Sequence, residues 1–225
     1  STTYAPEKLK VAYGTAANNG AMINVLADHP NINQSAIQSN TVVFTPSATG
    51  VYYFGFHAYS DADKFNLYVD NIMIDVAPWT WTGTTNTDWN TASNWDLGSV
   101  PTSTSNVIIP NVANKPVVGA GTYAAKNATI NTGSSLTING TLQLNGNITN
   151  NATITGSGSL ILDGLTAQTF NVGTSGATIA SFSLNNTSGA ALSGSGKLNV
   201  TNVLTVQDGS TLTTGGVVVL KSDAS

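Results

Sequence analysis

Asn127–Asp163, NATINTGSSLTINGTLQLNGNITNNATITGSGSLILD, is the stretch that decides the fold. Ile130, Leu136, Leu142, Ile148, Ile154 and Leu160 recur in it at an unbroken spacing of six. Ile138, Leu144 and Leu162 each follow one of them two residues on. Gly, Asn, Ser and Thr fill the gaps. A two-residue alternation that restarts every six residues does not fit a helix, whose apolar face returns every three or four. It fits very short strands that point one or two side chains inward and then turn on Gly or Asn, which tolerate positive φ. Such coils bury their apolar row only against the next coil, so the stretch predicts a parallel β-solenoid.

Val200, Val206, Leu212 and Val218 step by six again further on, with Leu198, Leu204 and Leu220 beside that row. Three such sides give a coil of about eighteen residues, which is short, so corners of varying length are expected. The spacing does not fix the hand of the coil. The Gly that follows the aliphatic residue in left-handed hexapeptide helices is missing, which favours the right-handed form.

Composition narrows the function classes. The chain has 225 residues, with seven Lys, no Arg and eleven acids, for a net charge of -4. Between Asn127 and Gly196 the only charged side chain is Asp163. Nucleic-acid surfaces need far more positive charge than this. No cysteine is present, so disulfides and thiolate metal sites are excluded. No apolar run of about eighteen residues suggests a membrane span. A Thr/Asn/Gly/Ser-rich, Arg-free, β-rich chain points to an extracellular setting. The chain opens on STTYAPEKLKV, without a signal peptide, and stops inside the repeat, so it is expected to be part of a larger protein.

Residues 1–78 differ in style. Leu9, Val11 and Tyr13 alternate with polar neighbours as a half-buried strand. Ala21–Asp28 suggests one or two helical turns stopped by His29-Pro30. Thr41–Phe44 and Gly50–Tyr59 predict two more strands. Phe65, Leu67 and Val69 alternate in one phase, and Ile72, Ile74 and Val76 in the other. A β-bulge at Asp70-Asn71 would join the two into one strand.

PEKLKV, ATGVYYFGFHAYS and FNLYVDNIMID together resemble the C-terminal half of the cleaved-adhesin, or choice-of-anchor, jelly-roll domains of Bacteroidetes-type surface proteins. The resemblance implies an antiparallel β-sandwich. After it, WTWTGTTNTDWNTASNWDLGSVPTSTSNVIIP resembles the segment that precedes β-solenoid regions in the same class of proteins. The whole therefore reads as an all-β chain: the C-terminal part of a jelly-roll β-sandwich over 1–78, a Trp-rich junction and cap over 79–110, and a parallel β-solenoid over 111–225.

Candidate sites are few. Trp79, Trp81, Trp89 and Trp95, all the tryptophans of the chain, fall in the junction. Large rings with a polar N–H suit a lid on the first coil, and aromatic faces also suit sugar stacking. Asp88, Asn90, Asn94 and Asp96 are expected to hold the turns there. Asp61, Asp63, Asp70 and Asp75 form the one carboxylate concentration. The resemblance places Asp70 near a structural calcium ion, although the N-terminal ligands of such a site are missing. His29 and His57 stand alone in sequence and carry no catalytic motif. Asp163 and Asp208 are far apart, whereas carbohydrate-cleaving solenoids need clustered acids. Thr137, Thr153, Thr155, Thr211, Thr213 and Thr214 show no common register at the coil spacing, which argues against an ice-binding face.

The expected role is non-enzymatic: a structural, adhesive stalk of a cell-surface or secreted protein, outer-membrane associated, that displays other domains of its polypeptide. The resemblance implies export through the type IX secretion machinery and a setting of attachment or gliding, with surface glycans as partners. No nucleic-acid partner is expected. The competing reading is a carbohydrate-binding module of a secreted enzyme, working through the tryptophans.

Overall fold

The computed structural model describes residues 6–34, 36–48, 50–64 and 66–221. The chain forms two compact units, Ser1–Asp75 and Val76–Ser225. Each is all-β, apart from two single turns of 3-10 helix, Asn19–Ala21 and Ala92–Asn94.

The first unit is built on an antiparallel sheet of three strands. The alternating LKVAY stretch becomes β1 (Glu7–Gly14). It lies between β2 (Asn24–Ile32) and β3 (Tyr53–Ala58). Phe44 and Tyr52 pack on Tyr13 of β1, and Phe54 of β3 packs on Phe44, forming an aromatic cluster. Three expectations fail here. Ala21–Asp28 is not helical: Asn24 onward pairs with β1, and His29-Pro30 lies within the strand. Pro30 is tolerated because β2 is an edge strand and the ladder is already irregular between Glu7 and Leu9. Thr41–Phe44 is not a strand; Phe44 is held by ring contacts instead of a ladder. Residues 66–76 form no strand either. Asn71 takes φ 53°, the left-handed region, where a continuous ladder stops. Phe65 lies outside the described residues.

The second unit is a parallel β-solenoid of about five turns over residues 107–220. One wall of the coil is a seven-stranded sheet. Its order is β17 (Leu212–Thr213), β15 (Ala190–Ser193), β13 (Gln168–Asn171), β11 (Ile148–Asn150), β8 (Ala128–Ile130), β5 (Val107–Ile109) and β4 (Trp79–Thr80). The rest of the coil starts as separate short sides, β9 (Ser135–Ile138) and β10 (Thr141–Leu144). In the next coil they merge into β12 (Thr153–Leu162), whose two halves pair with β9 and β10. β14 (Ala177–Leu184) and β16 (Leu198–Val206) continue that long side, with a register shift at each bend.

The six-residue row is the core. Ile130, Leu136, Leu142, Ile148, Ile154 and Leu160 are all buried, as are Ile138, Leu144 and Leu162. Coil length is not constant. Leu142 stacks beside Leu160, eighteen residues on, whereas Ile148 stacks beside Phe170, twenty-two residues on. The longer corners carry polar side chains that turn inward. Buried Asn150 donates to Val172 O and Gly176 O and accepts from Ala152 N. Each buried amide thus satisfies backbone groups that the turn takes out of the ladder.

Candidate functional site

Residues 79–106 form a Trp-rich first coil ahead of the five turns at 107–220. Trp79 and Thr80 pair in parallel with Val107 and Ile108, extending the seven-stranded sheet. Asp88 bridges to Val117, a residue of β6 (Val117–Val118), which in turn pairs with β9. Trp81, Trp89 and Trp95 are buried and belong to the same core as Val107, Ile109 and Val118. Trp81 and Trp89 both stand edge-on to Trp95, at centroid distances of 5.1 and 4.7 Å. Rings in this arrangement set positive edges against negative faces.

Polar groups lock the lid. Trp81 Nε1 donates to Asn114 O at 2.7 Å, and Trp95 Nε1 donates to Trp89 O at 3.0 Å. Trp79, half-buried, donates to Ser99 Oγ. Trp89 Nε1 is buried without a partner. Fully buried Asn94 is the hub of the turns: its Oδ1 accepts from Thr85 N and Asn86 N, and its Nδ2 donates to Asn86 Oδ1 and Asp88 O. Asp88 accepts from Asn90 N, and Asp96 accepts from Thr80 N. The ring faces of Trp81, Trp89 and Trp95 are therefore spent on packing, and no sugar reaches them in this conformation.

The remaining candidates are scattered. Asp70 is exposed, and its Oδ1 accepts from the next backbone N–H, of Asn71. Asp61 pairs with Lys8 at 3.1 Å, on the other side of the unit's sequence. No group of three or more His, Cys, Asp or Glu able to hold a metal occurs among the described residues. His29 Nε2 lies 2.9 Å from Asn40 Nδ2. His57 packs its ring near that of Tyr59, at 5.9 Å.

Tyr59, missed in the sequence, sits in a polar cluster of the first unit. Its hydroxyl donates to Asp28, which holds its pKa up at about 12, with desolvation and the Asp28 charge adding to the effect. Lys10 reaches Asp28 at 3.5 Å and lies 4.7 Å from the Tyr59 ring centroid. Strand pairing sets this cluster, since Lys10 stands opposite both Asp28 and His57. Three residues that far apart in the chain give no local signal.

In the solenoid, Asp163 stands alone at a corner. Its Oδ1 is buried without a partner, and desolvation raises its pKa. The threonines are better ordered than their spacing suggests: pairing puts Thr137, Thr155 and Thr178 in one column, continued by Asn199. Variable coil length hides that column in the sequence.

A family described as a domain of unknown function (DUF8693) matches residues 80–175, from the Trp-rich first coil into the middle of the solenoid. No curated protein and no solved structure matches the chain.

Proposed function

We propose that this chain is a structural, adhesive segment of a secreted or cell-surface bacterial protein, with the solenoid as a shaft that holds other domains of the polypeptide away from the cell. The observation that carries the reading is the continuity of the parallel ladder from Trp79 to Leu220 around an apolar core. Each coil adds about 5 Å of length and depends only on its neighbours. The walls are almost free of charge, which limits adventitious ionic contacts. No helix among the described residues is long and apolar enough to cross a membrane. Export through the type IX machinery fits the same reading.

Deleting one whole coil tests it. Removal of residues 141–158 joins Gly140 to Ser159, the residue that pairs with Thr141. A shaft loses one coil, keeps its β circular dichroism and keeps supporting attachment of the cells that display it. Loss of attachment with the fold intact would show that the coil itself holds the working site. Protease treatment of intact native cells tests location: a surface segment is cleaved while cytoplasmic markers survive.

A further inference from the structure

The first unit carries a groove of about 420 Å³ on the Lys10–Ala12 face of its sheet, within the size range of small-ligand sites. Its lining includes Lys10, Asn18, Asn19, Met22, Tyr53 and His57. The wall is built by the segment between β1 and β2, which lies tightly on the strands. A Cβ at Gly14 would come within 2.0 Å of Ala21 O, and one at Gly55 within 3.1 Å of Met22 Cγ. Asn18 fixes the turn by accepting from Ala21 N at 3.0 Å. The wall is thus tied down at both glycines and at its cap.

Hydrogen-bonding capacity in the groove is left over. The Asn19 amide, the Tyr53 hydroxyl and the His57 ring make no side-chain hydrogen bond to other described residues, and all three residues are exposed. The charges, in contrast, are used: Lys10 is paired with Asp28 and packed on Tyr59. An aromatic ring beside free amide, imidazole and hydroxyl groups, with no unpaired charge, matches a neutral polyhydroxylated ring that offers C–H faces and hydroxyl edges. We infer that this groove binds neutral saccharides, through Tyr53 and His57 as ring contacts and Asn18 and Asn19 as hydrogen-bonding partners. The assignment deepens the adhesive part of the function proposed above and rests on it; the coil deletion tests the shaft separately.

The experiment is calorimetric titration of the full chain with cellohexaose, laminarihexaose, xylohexaose and mannohexaose, and with oligogalacturonate as a charged control. At least one neutral oligomer binds, and both Tyr53→Ser and Asn19→Ala with His57→Ala weaken it by about tenfold or more, equal to about 1.4 kcal/mol. These side chains are on the surface, so the variants keep the parent circular dichroism. Absence of binding across the neutral panel overturns the assignment, as does binding that both variants leave intact. Tighter binding of oligogalacturonate than of every neutral oligomer also overturns it.

Discussion

Asn186 Nδ2 donates to Gln168 Oε1 at 2.9 Å, joining two buried amides from successive coils. Gln168 also donates to Leu144 O and Gly146 O in the coil before, and accepts from Gly164 N. One side chain therefore ties three coils at a corner. Gln168→Leu leaves several of these groups buried without partners, and we expect a loss of about 2–4 kcal/mol. Urea unfolding followed by circular dichroism checks it. A change within about 0.5 kcal/mol would show that the corner rearranges without the amide.

The tryptophan lid makes an unequal pair. Trp95 Nε1 is bonded to Trp89 O, and Trp89 Nε1 is buried with no acceptor. Replacement by Phe shrinks either ring by a similar volume. Only Trp95→Phe breaks a hydrogen bond, whereas Trp89→Phe removes an unmet donor. Trp95→Phe should cost more than Trp89→Phe by about 1 kcal/mol or more, read from the two urea midpoints.

Asp163 gives a pH dependence whose sign follows from its burial. Desolvation raises its pKa in the folded state above the unfolded value. Between the two values the folded chain binds more protons than the unfolded one, so this group's contribution falls as pH rises through that window. Above it, the ionised carboxylate disfavours the fold. Asp163→Asn should raise the melting temperature at pH 7 and change little at pH 3, where the carboxyl is protonated in both states. An equal shift at both pH values would assign the effect to packing.

Two glycines with similar backbone angles should respond differently to alanine. Gly98 has φ 65° and open space at its Cβ position. Gly173 has φ 69°, and a Cβ there would lie 1.9 Å from Asn150 O of the preceding coil. Gly98→Ala carries the left-handed penalty of about 1–2 kcal/mol. Gly173→Ala adds a clash with backbone that forces neighbouring coils apart. Its melting temperature should fall well below that of Gly98→Ala, and comparable values would mean that the corner yields freely.

The solenoid was legible because its driving force is periodic. Ile130 to Leu160 state the inward direction every six residues, and nothing in the structure competes with that row. The corners were not legible. Phe170 and Phe182 are core residues that fall off the row, because the coils holding them are longer. Asn150, Gln168 and Asn186 look like ordinary polar residues, and only stacking reveals which carbonyls they serve. A faint signal existed for Asn150, which follows Ile148 in the inward phase. In the first unit, pairing decided what local propensity misread: β1 recruits Asn24–Ile32 despite Pro30, and residues 66–76 stay out of the sheet despite their alternation. The lid and the groove were opposite cases. Four clustered tryptophans advertised themselves, whereas Lys10, Tyr53 and His57 line one groove only through strand pairing.

The flat stacking of coils gives the chain a reserve of slack. Its strands run across the direction in which the coils pile up, so tension along the pile strains the ladder between two neighbours at a time. A coil that peels away, such as residues 141–158, releases about 60 Å of extended chain. The next ladder takes the load only after that length is drawn out. A pulled shaft of this build lengthens in discrete steps and absorbs a jolt before its attachment breaks.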